Sequence, residues 1–167
     1  MPSRARRYIG RSVQRTPGWP LMCPASKGGG RGRDSFIEHM ERAYGRMFHR
    51  VTGVHQNDMA ALVANSSIVV APDHPATDRY WSNRVYQMCG FGAFLLHPRC
   101  ALLSNHYNAN ELVMYDSRET LEHQIAQYIG DPEYRRVTAE SALARTMEEH
   151  LYRHRCKELL TVVKHEL

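Results

Sequence analysis

The chain alternates between two kinds of apolar pattern. Residues 67–71 and 93–97 are short continuous apolar runs, which are typical of parallel strands covered on both faces. Residues 80–90, between them, carry an apolar stripe at helical spacing, formed by Trp81, Val85 and Met88. The pattern therefore predicts a strand, a helix and a second strand, which together make one βαβ unit.

The same alternation extends to both sides of this unit. Further strands are predicted at 51–54 and 111–115, and further helices at 34–48 and 57–65. Ser117 and Asp131-Pro132 are expected to begin two more helices, since serine and aspartate cap helix starts and proline suits the first turn. A last helix reaches about Val163. Strands that alternate with helices indicate an α/β fold with a parallel sheet, flanked by helices.

Residues 1–33 differ from the rest. They contain eight basic and no acidic side chains, whereas the remainder has a net charge of −3, so the total of +5 comes from this segment. Four prolines and the run 27–33, rich in glycine, favour disorder. We therefore predict a disordered basic extension over 1–33 and one domain over 34–167. The extension could be a phosphate-binding arm, an organelle transit peptide or a segment without function, and the last interpretation is preferred.

Composition excludes several classes of protein. A chain of 167 residues with 43% hydrophobic and 23% charged residues suits one globular domain. No apolar run approaches the roughly 20 residues that a membrane-spanning helix needs. The four cysteines form no CxxC pair, which is typical of reduced thiols, and we expect a cytoplasmic protein. The phosphate-binding pattern GxxxxGK[ST] of many ATPases is absent.

Candidate ligand-binding residues fall where the strands end, because ligands of parallel sheets bind at the carboxyl ends of the strands. The loop 73–79 and the helix start at Ser82, Asn83 and Arg84 are expected there. A helix start offers unpaired N–H groups, and arginine matches phosphate oxygens with a planar pair of donors. His74 and His97 end loops or strands on the same side and could contact a phosphate or a sugar hydroxyl, although a solvated loop position is the simpler expectation.

Several sequence blocks resemble one known family. They are SNRVYQ, GFGAFLL, ELVMYDSRETL, YIGDPEYRR and HLYRHRCKELL, in this order over about 51–163, with no resemblance in 1–45. The blocks resemble the C-terminal domain of the CgeB/YkvP-like spore-protein glycosyltransferases. That domain is similar to the donor-binding half of the two-domain GT-B enzymes. The resemblance implies a Rossmann-like sheet, a nucleotide-diphosphate sugar as donor, and glycosyl transfer to an unknown acceptor.

The resemblance also implies roles for single residues. Arg84 carries over as a ligand of the donor phosphates, against a structural role in pairing with Asp73 or Asp78. Related enzymes often have a glutamate at the position of Gln87, where it accepts the ribose hydroxyls, and a second glutamate where Arg79 stands. Glutamine retains one acceptor oxygen but loses the charge, so catalysis is in question. Glu111 could hold a sugar or a water near phosphate, although an exposed strand-edge carboxylate is the simpler expectation.

Neither a cofactor nor a metal is expected. His150 and His154 lie four residues apart on a helix, but the sequence offers no third ligand and no glutamate in the hydrolytic zinc pattern. The resemblance implies that a complete enzyme would add an N-terminal acceptor domain, so the chain is interpreted as a truncated or partial glycosyltransferase. The alternatives are a noncatalytic nucleotide- or protein-binding module of the same fold and, less favoured, a nucleic-acid-binding protein that uses the basic segment.

Overall fold

A computed structural model describes residues 19–25, 31–72 and 78–166 of the chain. Its centre is a five-stranded sheet in the order β2-β1-β3-β4-β5, and every neighbouring pair is parallel. The strands are β1 (Trp19–Pro24), β2 (Phe48–Val51), β3 (Ser66–Val70), β4 (Leu95–Pro98) and β5 (Val113–Tyr115). The predicted α/β fold with a parallel sheet is confirmed.

The described residues form six α-helices around this sheet and at the end of the chain. They are α1 (Arg31–Tyr44), α2 (Gln56–Ala64), α3 (Arg84–Gly90), α4 (Arg118–Ile129), α5 (Pro132–Glu149) and α6 (Tyr152–Glu166). The two predicted caps are present: the Ser117 hydroxyl accepts a hydrogen bond from the Thr120 N–H, and the Asp131 carboxylate accepts one from the Tyr134 N–H. None of the described helices is long and apolar enough to cross a membrane.

Strand β1 corrects the predicted boundary at residue 34. It lies between β2 and β3, so that Leu21 is paired with Phe48 on one side and with Ile68 on the other. Leu21, Met22 and Cys23 are completely buried. The prediction of disorder is therefore wrong for 19–25 and for 31–33, where α1 begins; residues 1–18 and 26–30 lie outside the described residues. The neighbouring strands supply the burial that the local composition does not indicate.

Both faces of the sheet are covered. Helices α1 and α4 pack on one face around a core that includes Ile37, Met40 and Leu121. Helices α2 and α3 pack on the other face, where Val85 and Met88 are buried. Helix α5 contributes Ala139 to the first core and Ala142 to the second. Two covered faces explain why the strands consist of continuous apolar runs rather than alternating ones.

The strand order creates a switch point between β1 and β3. The chain leaves β1 through α1 toward β2 on one side, then returns through α2 to β3 on the other side of β1. Connections that leave two adjacent parallel strands in opposite directions open a crevice at the carboxyl ends of those strands, and ligands of such folds bind there. The segments that border this crevice follow β1 at Ala25 and follow β3 at Ala71 and Pro72.

Candidate functional site

Three arginines act electrostatically on Cys23, near the carboxyl end of β1. Burial raises the pKa of the Cys23 thiol to about 12, while the positive charges of Arg84, Arg33 and Arg50 act in the opposite direction. Glu41 adds a smaller effect that raises it. These arginines come from α3, α1 and β2, yet all three lie close enough to act on the same sulfur atom. We call Arg33, Arg50 and Arg84 the arginine cluster.

The helix that carries Arg84 is shorter than the pattern predicts. Helix α3 has seven residues and begins at Arg84 rather than near residue 80. Asn83 occupies the cap position without a side-chain hydrogen bond to the helix, and Ser82, half-buried, accepts a hydrogen bond from the Val85 N–H through its carbonyl oxygen. So short a helix has a small dipole, and Arg84 adds a full positive charge at its start.

Gln87 faces a groove on the outer side of α3. The groove has a volume of about 260 Å³ and separates α3 from the junction of α5 and α6. Asn83 and Gln87 line one wall, while Leu151 and Tyr152 line the other. The Asn83 Nδ2 atom lies 3.5 Å from the Tyr152 hydroxyl, so the two walls touch at one end. Two amide side chains and an aromatic ring give this groove groups suited to hydroxyl-rich ligands.

Of the two candidate histidines, the structure describes only His97. His97 lies in β4 and is almost completely buried, with only 1% of its surface exposed. Its Nδ1 atom lies 2.6 Å from the Pro98 carbonyl oxygen, which can only accept, so this nitrogen carries the proton. His97 is therefore a core residue at the end of a strand and not a solvated loop histidine. His74 falls within 73–77, outside the described residues.

Glu111 lies away from the other candidates. It precedes β5 and is therefore at the amino edge of the parallel sheet, opposite to the arginine cluster. Its carboxylate accepts a hydrogen bond of 2.8 Å from the Asn108 N–H and another of 3.2 Å from Arg145 Nε. The carboxylate is 9% exposed rather than a solvated strand-edge group. Its contacts give it a structural role in fastening α5 to the loop before β5.

The sequence pattern missed a cluster of polar and aromatic side chains beside the groove. His106 and His150 pack with their ring centres 5.2 Å apart, and Arg155 lies over the Tyr86 ring at 5.8 Å. These residues come from three separate parts of the chain, so no local pattern joins them. The proximity of His150 and Arg155 in sequence, across the junction of α5 and α6, was the available signal. The described residues contain no group of three potential metal ligands.

The fold defines the class of protein: a Rossmann-like α/β domain with a parallel sheet whose switch point lies between β1 and β3. A family model described as glycosyl transferase-like matches residues 6–161, and the chain belongs to this family. The match begins within the basic segment and so includes β1, which corrects the expectation that residues 1–45 have no family resemblance. None of the curated proteins compared with the chain matches it. Family membership supports a general role in glycosyl transfer from a sugar donor.

Proposed function

We propose that the chain binds a nucleotide-diphosphate sugar at the carboxyl edge of its sheet, as the donor-binding domain of a CgeB/YkvP-like glycosyltransferase of the GT-B type. The reaction would transfer the glycosyl group to an acceptor hydroxyl and release the nucleoside diphosphate. Ser82, Asn83, Arg84 and Gln87 are the candidate residues on this side, and His97 is a buried candidate near the end of β4. His74 stays a candidate from the sequence, since it falls outside the described residues. Glu111 is left out because the sheet separates it from the other described candidates.

The arginine cluster at the switch point is the observation that carries this proposal. A nucleotide diphosphate brings concentrated negative charge, and the leaving diphosphate gains charge as the glycosyl bond breaks. Guanidinium groups at a crevice can stabilise that charge both before and during transfer. Arg84 is the member of the cluster that begins α3, the helix that follows β3 along the chain.

The groove beside α3 supports a second part of the proposal. Gln87 is exposed on the wall of this groove, four residues after Asn83 and therefore on the same side of the helix. A ribose placed there could donate a hydroxyl hydrogen bond to the Gln87 amide oxygen. The neutral amide would hold the ribose more weakly than a carboxylate would, because hydrogen bonds to charged groups are roughly twice as strong.

The first test measures donor binding by calorimetry with uridine, guanosine and adenosine diphosphate sugars. Arg84→Ala should weaken binding about tenfold to a hundredfold, because a charge-assisted hydrogen bond is worth about 1.5–3 kcal/mol. Arg118→Ala, at the exposed start of α4, is the matched control and should bind as the unchanged protein does. Equal affinities for both variants would place the phosphates elsewhere.

The second test restores the carboxylate. Gln87→Glu should tighten binding of the same donors if the ribose lies against this position, because the glutamate accepts the ribose hydroxyls with a full charge. Gln87→Leu removes the acceptor oxygen without adding a charge and is the matched control. A carboxylate that leaves binding unchanged or weakens it would exclude the ribose from this wall of the groove.

The neutral Gln87 also favours a second candidate function, a noncatalytic module that binds a nucleotide without turnover. Arg79, exposed before α3, likewise lacks the carboxylate that related enzymes have at its position. Release of free nucleoside diphosphate from a bound donor sugar distinguishes the two functions. Binding that is never followed by release, in protein shown to be folded, would support the module and contradict the enzyme.

A further inference from the structure

We propose that helix α6 is held against α3 by a proton-sensitive contact, and that protonation of its histidines releases the start of α6 and opens the groove beside Gln87. The contact, which we call the α6 seat, consists of Tyr86, His106, His150 and Arg155. It joins α3, the loop before β5, and the junction of α5 with α6. The inference is independent of the donor and of glycosyl transfer.

Hydrogen-bond geometry requires both imidazoles of the seat to be neutral. The Arg155 Nη2 atom lies 3.3 Å from His150 Nδ1 and 3.5 Å from His106 Nδ1. A guanidinium can only donate, so both Nδ1 atoms must accept and cannot carry a proton. The His150 Nε2 atom lies 2.9 Å from the His106 carbonyl oxygen and must donate to it. His150 is therefore fixed in one neutral tautomer.

A chain of donors reaches His106 from the other side. Trp81 Nε1 donates to the Tyr86 hydroxyl over 3.0 Å, and that hydroxyl lies 3.3 Å from His106 Nδ1. Because the Tyr86 oxygen already accepts from Trp81, its own proton is available for the imidazole. His106 Nδ1 thus lies between two donors, Tyr86 and Arg155, and a proton at this nitrogen would oppose both.

The surroundings of the seat also mainly oppose a proton on His106. The pKa of His106 is lowered by burial first, then by His150 and by Arg155, while Glu158 raises it. Glu158 pairs with Arg155 at 3.0 Å and so offsets part of the guanidinium charge. Tyr107 packs against His150 at 5.1 Å between ring centres, and burial raises the pKa of its hydroxyl, so it stays neutral.

One more titratable group lies at the start of α6. The His154 Nδ1 atom lies 3.1 Å from the Leu151 N–H, and its Nε2 atom lies 3.1 Å from Arg153 Nε. The sign of the pH effect follows. A histidine whose pKa is lowered in the seat binds fewer protons there than when α6 is released, so the seat is complete above the ordinary value of 6.5 and weakens as the pH falls through it.

Release of the seat would change the groove directly. His150, Leu151 and Tyr152 form the wall that faces Asn83 and Gln87. Beyond its first turn, α6 has little else to hold it, since Leu159 and Leu160 are 64% and 57% exposed. The seat is therefore the main attachment of α6 among the described residues, and its loss would free both the helix and the groove wall.

Amide hydrogen exchange of the full chain tests this inference. Protection of α6, corrected for the intrinsic pH dependence of exchange, should fall between about pH 7.5 and about pH 5.5, by up to about tenfold for one histidine, because pH 5.5 lies about one unit below the ordinary histidine pKa. Protection of β3 and α2 should not change. Equal protection of α6 at both pH values in the unchanged protein would overturn the inference.

Two variants and a control identify the groups responsible. In His106→Asn/His150→Gln, the asparagine oxygen replaces the accepting Nδ1 and the glutamine amide replaces the donating Nε2. This protein should keep α6 protected at both pH values; a loss equal to that of the unchanged protein would overturn the inference.

Arg155→Met removes the cation and should reduce the pH effect at least about threefold, because a protonated histidine then meets no guanidinium. An undiminished effect would exclude Arg155. His123→Gln, exposed on α4, should behave as the unchanged protein.

Discussion

Strand β1 and helix α6 show opposite relations between sequence pattern and burial. Residues of β1 follow a basic segment with several prolines, yet Leu21 and Met22 are 0% exposed. Helix α6 has a regular apolar stripe through Leu159 and Val163, yet these side chains are 64% and 43% exposed. The strand has paired neighbours on both sides, whereas α6 follows α5 at the end of the fold and touches α3 only at its start.

This difference shows that position in the topology can outweigh local pattern. A central strand of a parallel sheet is enclosed by two strands and two layers of helices, so even a six-residue segment becomes core. A terminal helix has one side to bury and needs a partner surface that is large enough. The following predictions test this account, beginning with the largest effect.

Removal of β1 should prevent folding. Deletion of residues 1–25 would leave β2 and β3 without the strand that separates them, so we expect loss of cooperative thermal unfolding by circular dichroism. Deletion of residues 2–18 is the matched control, and we expect it to shift the melting temperature by little. A folded protein after the longer deletion would show that β1 is not part of the essential sheet.

Single leucines of the two regions should differ strongly. Leu21→Ala should lower the free energy of unfolding by about 2–5 kcal/mol, because it leaves a cavity in the centre of the sheet. Leu160→Ala makes the same chemical change at an exposed position and should stay within about 0.5 kcal/mol. Urea denaturation measures both. Similar losses would mean that α6 is covered in solution.

Substitution of Thr146, near the end of α5, tests how far the buried core extends toward α6. Its hydroxyl lies 2.7 Å from the Tyr107 hydroxyl and donates to the Ala142 carbonyl, and both side chains are buried. Thr146→Val should cost about 1–3 kcal/mol, because the Tyr107 hydroxyl loses this partner and the nearby Cys89 thiol is a weak acceptor. In the double variant Tyr107→Phe/Thr146→Val most of this loss should disappear. A loss that persists would come from packing.

The sequence predicted those strands whose burial is visible in their own residues. Runs 67–71 and 93–97 correspond to β3 and β4 because they are continuous and apolar. The strand predicted at 51–54 lies earlier in the structure. Strand β2 begins at Phe48, directly after a 3₁₀ turn at Gly45–Met47, and ends at Val51. Strand β1 was missed because Pro20 and the flanking basic residues conceal a short apolar run, Leu21 to Cys23, whose burial depends on distant strands.

The candidate site was predictable only in part for a related reason. Ser82, Asn83 and Arg84 follow β3 along the chain, so the rule for strand ends finds them directly. Arg33 and Arg50 join Arg84 only through the order of the sheet, which the pattern of elements does not specify. Glu111 shows the reverse error: a polar residue next to a strand was considered without regard to which end of that strand it occupies.

The central place of β1 also has a consequence for the order in which the chain acquires its structure. Strands β2 and β3 are neighbours in sequence but not in the sheet, and each of them pairs with β1, which lies between them. The contact of Leu21 with Ile68 closes a long loop of chain, and such distant pairings slow folding. During synthesis β1 leaves the ribosome before β2 and β3, so the template strand is already present when its partners emerge.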